Sequence, residues 1–143
     1  MWIPGEGTLN PGTGFLRPVS STTLTNPATA IRAITVGAYD SLTFSYADFS
    51  GRGPLTGESA SAVKPDLVAP GVNVSTISVG GSVMQFSGTS FATPFVTGSA
   101  ALLMEWGIVR GNDAYLYGEK VKAYLRRGAK KLPGYEKWPN SQL

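Results

Sequence analysis

The sequence contains no histidine and no cysteine. Without thiols there can be no disulfides and no thiolate metal sites. Without imidazole the usual zinc and iron ligand sets cannot be assembled. Nine carboxylates are scattered singly and no D-x-[DN]-x-[DN]-G loop is present, so no metal site or cofactor is identifiable and at most a hard cation could be served. No continuous apolar run reaches about 18 residues, so no membrane-spanning segment is expected. Met1-Trp2-Ile3-Pro4 lacks the basic start and apolar stretch of a signal peptide. Charged residues are few (15%) beside 42% hydrophobic ones, a balance that fits one globular domain in a chain of 143 residues.

Glycine (18) and proline (10) are plentiful, which implies many turns and close backbone approaches. The net charge of +3 is unevenly spread: residues 1–119 carry five basic and eight acidic side chains, residues 120–143 seven and one. Such a basic end could meet nucleic acid or an acidic surface. However, Val121, Tyr124, Leu125, Gly128, Ala129 and Leu132 recur at helical spacing as one apolar or small face. Lys120, Lys122, Arg126, Arg127, Lys130 and Lys131 fall mainly on the remaining circumference, where a solvated helix face is the simpler reading. No aromatic platform accompanies the basic residues, so no nucleic-acid partner is expected.

Residues 1–30 read as turns, with short strands expected at 15–19 and 22–25. "IRAITVGAYD" has the β-branched core of a buried strand, and "FSYADFSGRGPLTG" reads as a short strand and a glycine-rich loop. "VKPDLVAPGVNVSTIS" turns at Pro70-Gly71 and then alternates as a strand through Val72, Val74 and Thr76, and "SVMQFSG" is a further strand. From Thr89 to about Trp106 the pattern becomes a helix closed by Gly107, apolar or small almost all round and therefore expected to lie centrally buried. Pro94 deprives the Ser90 carbonyl of its helical partner, which places Ser90 near the helix N-terminus if Pro94 is to fall in the first turn. A second helix is expected over 118–132.

Ser90 follows a tight Gly88-Thr89 turn at the start of that first helix. There the positive end of the helix would stabilise a developing oxyanion. A serine hydroxyl needs a base to become a nucleophile, and the sequence offers no histidine. Ser90 could equally be a helix N-cap; the local features leave both readings open. "GTSFA" imitates the G-x-S-x-G elbow only in part, with Ala92 at the last position and no histidine following. "SAVK" (61–64) matches S-x-x-K, but Pro65 disfavours the helical Lys64 that motif needs, and no S-D-N or K-T-G accompanies it. "NVS" at Asn73 is a glycosylation sequon, a pattern too short to carry weight.

"GTSFATPFVTGSAALL" resembles the serine signature of the subtilisin-like serine proteases, G-T-S-x-A-x-P-x-V-x-G, with every fixed position present from Gly88 to Gly98. "KPDLVAPGVNVSTIS", "AITVGAYD" and "YADFSGRGP" resemble the segments that precede it in that family. Phe95 stands where the family often has a histidine outside the catalytic set. Residues 1–30 fit the common pattern poorly and read as part of an insertion, with 31–143 as the C-terminal part of a subtilisin-like catalytic domain.

The resemblance implies an α/β fold with a mostly parallel sheet flanked by helices, of which this is the C-terminal portion. It implies a serine endopeptidase acting on polypeptides, with Ser90 as nucleophile, the Ser90 N–H as an oxyanion donor and Thr89 as its support. The family's aspartate (D-[ST]-G), histidine (H-G-[ST]) and oxyanion asparagine (G-N-x-G) motifs are not in this chain. The expected partner is therefore the N-terminal part of the domain, and the chain alone is expected to be silent and to self-associate through uncovered apolar surface. A non-catalytic scaffold built on a protease fold, or one half of a two-chain enzyme, is the alternative. Calcium and secretion are further implications of the family alone.

Overall fold

The structure is a computed structural model that describes residues 9–53 and 63–134. The tip of the expected glycine-rich loop, Ser61 of the S-x-x-K match and the two ends of the chain lie outside the described residues. Among the described residues, five strands and two α-helices are formed. They are β1 (Val36–Asp40), β2 (Ser45–Tyr46), β3 (Leu67–Pro70), β4 (Val74–Ile77), β5 (Val83–Phe86), α1 (Thr89–Met104) and α2 (Gly118–Gly128).

Strand β1 lies between β2 and β3. It runs parallel to β3, with Val36 opposite Leu67 and Ala38 opposite Ala69, and antiparallel to β2 through Tyr39 and Tyr46. Strands β4 and β5 form a separate antiparallel hairpin, Val74 facing Phe86 and Ile77 facing Val83. The expected mostly parallel sheet is thus represented here by one parallel pair, and the remaining pairings are antiparallel. The parallel pair needs a long connection, and residues 41–66 supply it.

Helix α1 crosses β1 and β3, and the core forms where they meet: Ala38, Ala47, Leu67, Ala69, Ala92 and Val96, with Ile34, Val36, Val72 and Leu125 packed around them. Small side chains dominate, so sheet and helix approach closely. A second cluster joins Tyr46 and Leu132, flanked by Tyr39 and Val68.

Several expectations need correction. No strand forms at 15–19 or 22–25; the latter segment is instead tied to the loop after β2, with Thr22 N–H donating to Gly53 O and Thr23 N–H to Arg52 O. Strand β3, not singled out from the sequence, precedes the Pro70-Gly71 turn. Pro94 sits in the second turn of α1 rather than the first. Thr93 there donates its hydroxyl to Thr89 O (2.9 Å), a side-chain bond on the same stretch of backbone where the proline withholds its own. Gly107 does not close α1: a π-helical turn, Glu105–Val109, carries the helix past it, sealed by Arg110 N–H to Glu105 O. Helix α2 ends at Gly128, four residues early: Ala129 turns to extended backbone (φ −67°, ψ +142°), and the chain leads Leu132 into burial beside Tyr46.

Two further features concern α1. The continuous helix Thr89–Val109 has 21 residues and, although no unbroken apolar run reaches about 18, is long and apolar enough to cross a membrane by length and composition alone, because its Ser and Thr residues interrupt runs without adding charge. The expectation of a centrally buried helix needs correction: within α1, only Ala92 and Val96 are buried.

Candidate active site

The turn that carries Ser90 is positioned by backbone contacts. Gly88 N–H donates to Gly71 O (2.8 Å), joining the end of β3 to the start of α1. A Cβ on Gly71 would fall 2.6 Å from Ala38 Cβ and 3.0 Å from Gly88 O, so only glycine permits this approach. Gly88 itself has φ +157° and ψ +156°, a backbone state that side chains rarely adopt. From the hairpin side, the Ser87 hydroxyl accepts from Asn73 N–H (2.9 Å), and Phe86 stacks on Phe91 at 5.3 Å between ring centroids. The serine turn is therefore held from both sides.

Gly88 is the helix N-cap and provides no side-chain cap, which removes the N-cap reading of Ser90. Ser90 is the second helical residue, exposed, and its hydroxyl has no hydrogen-bond partner among the described residues. Gly88 O is taken by the N–H groups of Phe91 and Ala92, which leaves those of Thr89 and Ser90 as free donors at the helix end. No acidic residue lies in the first turn, so the positive end of α1 is not offset locally. Thr89 is half-buried and accepts the Thr93 hydroxyl on its carbonyl. An exposed hydroxyl beside two free N–H groups at a helix N-terminus is suited to attack a carbonyl and to receive the resulting oxyanion.

Thr89 also borders a pocket of about 430 Å³, shared with Thr23, Thr25, Ala28, Ser50 and Arg52. The Arg52 guanidinium lies over the Tyr46 ring, 5.2 Å from its centroid, and Arg52 Nε is buried without a partner among the described residues.

Sequence reasoning missed a buried ionic cluster behind this pocket. Asp66 accepts from Lys64 Nζ (2.7 Å), Lys122 Nζ (2.7 Å) and Thr35 N–H (2.8 Å). Lys64 and Asp66 side chains are 1% and 2% exposed. Burial pushes the Lys64 amine below its usual range, opposed by the hydrogen bond and charge of Asp66. Lys122 is thus corrected from a solvated face to a half-buried anchor. The only available signal was the charged pair of "VKPDLVAPG", flanking a proline and running straight into a strand. Among the described residues no group of three or more His, Cys, Asp or Glu could hold a metal ion.

Residues 12–142 match the model described as the Subtilase family. The chain belongs to the subtilase family. It is similar to the serine protease AprX of Bacillus subtilis, 32% identical over 131 residues, which spans 78% of this chain and 28% of that protein. It is also similar to the membrane-bound transcription factor site-1 protease of Mus musculus, 37% identical over 115 residues, 78% of this chain and 11% of the relative. The solved structure of the Clostridium perfringens CspB protease superposes with a TM-score of 0.84 at 46% identity, covering 92% of this chain and 28% of that one. The fold is therefore subtilisin-like α/β, and the chain spans only about a quarter of the length of AprX and CspB.

Proposed function

We propose that this subtilase chain carries the nucleophile of a serine endopeptidase, with Ser90 attacking the scissile carbonyl of a polypeptide. The observation that carries this reading is the exposed, uncapped Ser90 hydroxyl in the first turn of α1, inside the complete G-T-S-x-A-x-P-x-V-x-G signature. The Ser90 N–H donates to the tetrahedral oxyanion, and Thr89 supports it from the adjacent position on the turn. No histidine is present to take the serine proton, so the base, its orienting aspartate and the oxyanion asparagine come from a part of the protein outside these 143 residues. That part also covers the exposed apolar face of α1. Alone, the chain is silent towards peptides and self-associates.

A fluorophosphonate probe tests this reading. The chain alone stays unlabelled; the protein that includes the aspartate, histidine and asparagine motifs is labelled and cleaves peptides, and Ser90→Ala abolishes both. Labelling at a residue other than Ser90 would overturn the assignment. Absence of labelling and cleavage in the protein bearing all motifs would favour the non-catalytic scaffold.

A further inference from the structure

We propose that the pocket that Thr89 borders receives part of the polypeptide substrate and that Lys122 and Asp66 position its wall, an inference that rests on the peptidase reading above. One wall of that pocket, Thr23 to Ala28, belongs to no helix or strand. Its front end is tied to the loop after β2, where Arg52 N–H donates to Thr23 Oγ1 (2.9 Å). Its rear end is tied to the start of β1, among the described residues, by the bond from the Thr35 hydroxyl to Ala28 O (2.6 Å). Thr35 is held in turn by Asp66, which accepts its N–H, and by Lys64 Nζ, which donates to its hydroxyl oxygen (3.0 Å).

Helix α2 completes the brace. Lys122 Nζ reaches Asp66 Oδ1, Ile31 O (2.8 Å) and Ala33 O (3.0 Å), so a side chain from α2 stitches the 31–35 segment to the start of β3. Lys64 Nζ donates to Ala33 O (2.7 Å), Thr35 Oγ1 and Asp66 Oδ2. Both ammonium groups thus have three acceptors each, and neither keeps a donor for a ligand. The cluster acts as a brace rather than a binding site. An apolar plug of the same volume would be as stabilising or more so, but it would not dictate where the carbonyls of Ile31 and Ala33 lie. Those carbonyls set the path by which the chain leaves Ala28 for β1. Displacing them moves the pocket wall while leaving the serine turn, which rests on Gly71 and Ser87, in place.

Two readouts on Lys122→Met test this, since methionine keeps much of the apolar stem and loses all three bonds. In the chain itself, amide hydrogen exchange should quicken over residues 28–35 and stay unchanged in the β4–β5 hairpin. In the protein with the complete catalytic domain, fluorophosphonate labelling of Ser90 should stay within about twofold, because that probe does not fill the pocket. The KM for peptides should rise on the order of tenfold with kcat less affected. Thr35→Val, which removes the bond to Ala28 but leaves the Asp66 ion pairs, should reproduce both effects if Lys122→Met does not fold. Unchanged exchange over 28–35, exchange that quickens throughout the chain, or labelling and peptide cleavage falling in parallel would each overturn the proposal. If the unaltered protein neither labels nor cleaves, the peptidase reading fails, while hydrogen exchange still judges the brace.

Discussion

Helix α1 is apolar or small at almost every position, yet only Ala92 and Val96 are buried; helix α2 is rich in charge, yet it holds buried Val121 and sends Lys122 into the interior. The difference separates composition from contact. Helix α2 has a single apolar face, and the segments beneath it match that face and supply an acid and two carbonyls for its lysine. Helix α1 touches the sheet on one side only. Its other faces, continued by the π-helical turn, present Phe95, Leu102, Met104 and Trp106, and part of this surface lines an open groove of about 720 Å³ with Tyr39 and Tyr124. A helix apolar all round ordinarily lies between two layers, and the described residues supply one.

The largest expected effect sharpens the α2 side. Asp66→Ala leaves buried Lys64 and half-buried Lys122 without their counter-charge and should cost about 3–5 kcal/mol in urea unfolding. A loss under about 1 kcal/mol would mean that the ionic cluster does not secure α2. Next comes the contact that ties α1 to the sheet. Gly71→Ala places a methyl 2.6 Å from Ala38 Cβ and should cost about 1–3 kcal/mol in the same measurement. Wild-type stability would show that β3 and the serine turn are not held so close.

On the exposed side of α1 the expected change in stability is near zero. Phe95→Ser with Leu102→Ser should alter unfolding of the isolated chain by less than about 0.5 kcal/mol while shifting sedimentation towards smaller species. A marked destabilisation would break the comparison, since it would mean that these faces are buried within the chain itself. The smallest effect concerns the foot of α2, where the hydrogen bond that Lys120 Nζ donates to the Asp113 carboxylate raises the lysine pKa above its ordinary 10.5. A raised lysine value stabilises the fold below the unfolded pKa, and the contribution disappears as pH climbs through the higher folded value. Because the ammonium is solvent-exposed, the stability change should be slight; NMR titration should show the Lys120 value falling towards 10.5 in Asp113→Asn.

Much of the local structure around the candidate site was legible from the sequence. Gly88, Thr89, Ser90 and Pro94 are local features, and a turn followed by a helix start is decided by residues adjacent in sequence. Strands β1, β4 and β5 were likewise readable from β-branched and alternating residues. Strand β3 was harder: Leu67-Val68-Ala69 is too short to show a period, and its partner lies some thirty residues upstream. The π-helical turn at Glu105–Val109 escaped notice because a glycine there reads as a stop, whereas Gly107 is buried where a side chain would meet Leu116. The helical spacing of Leu132 was genuine, but the residue reaches Tyr46 by leaving the helix.

By itself the sequence determined the family, the serine turn, the start of α1 and the lack of any histidine base, since each depends on residue identity or on neighbours along the chain. Tertiary structure decided which carboxylate meets which lysine, how far α1 is covered and what braces the wall of the pocket. Lys64, Asp66 and Lys122 look like ordinary surface charges in a linear reading. The packing of β3, the 31–35 segment and α2 brings them together, and the burial of Lys64 and Asp66 is what turns three scattered charges into one interdependent group.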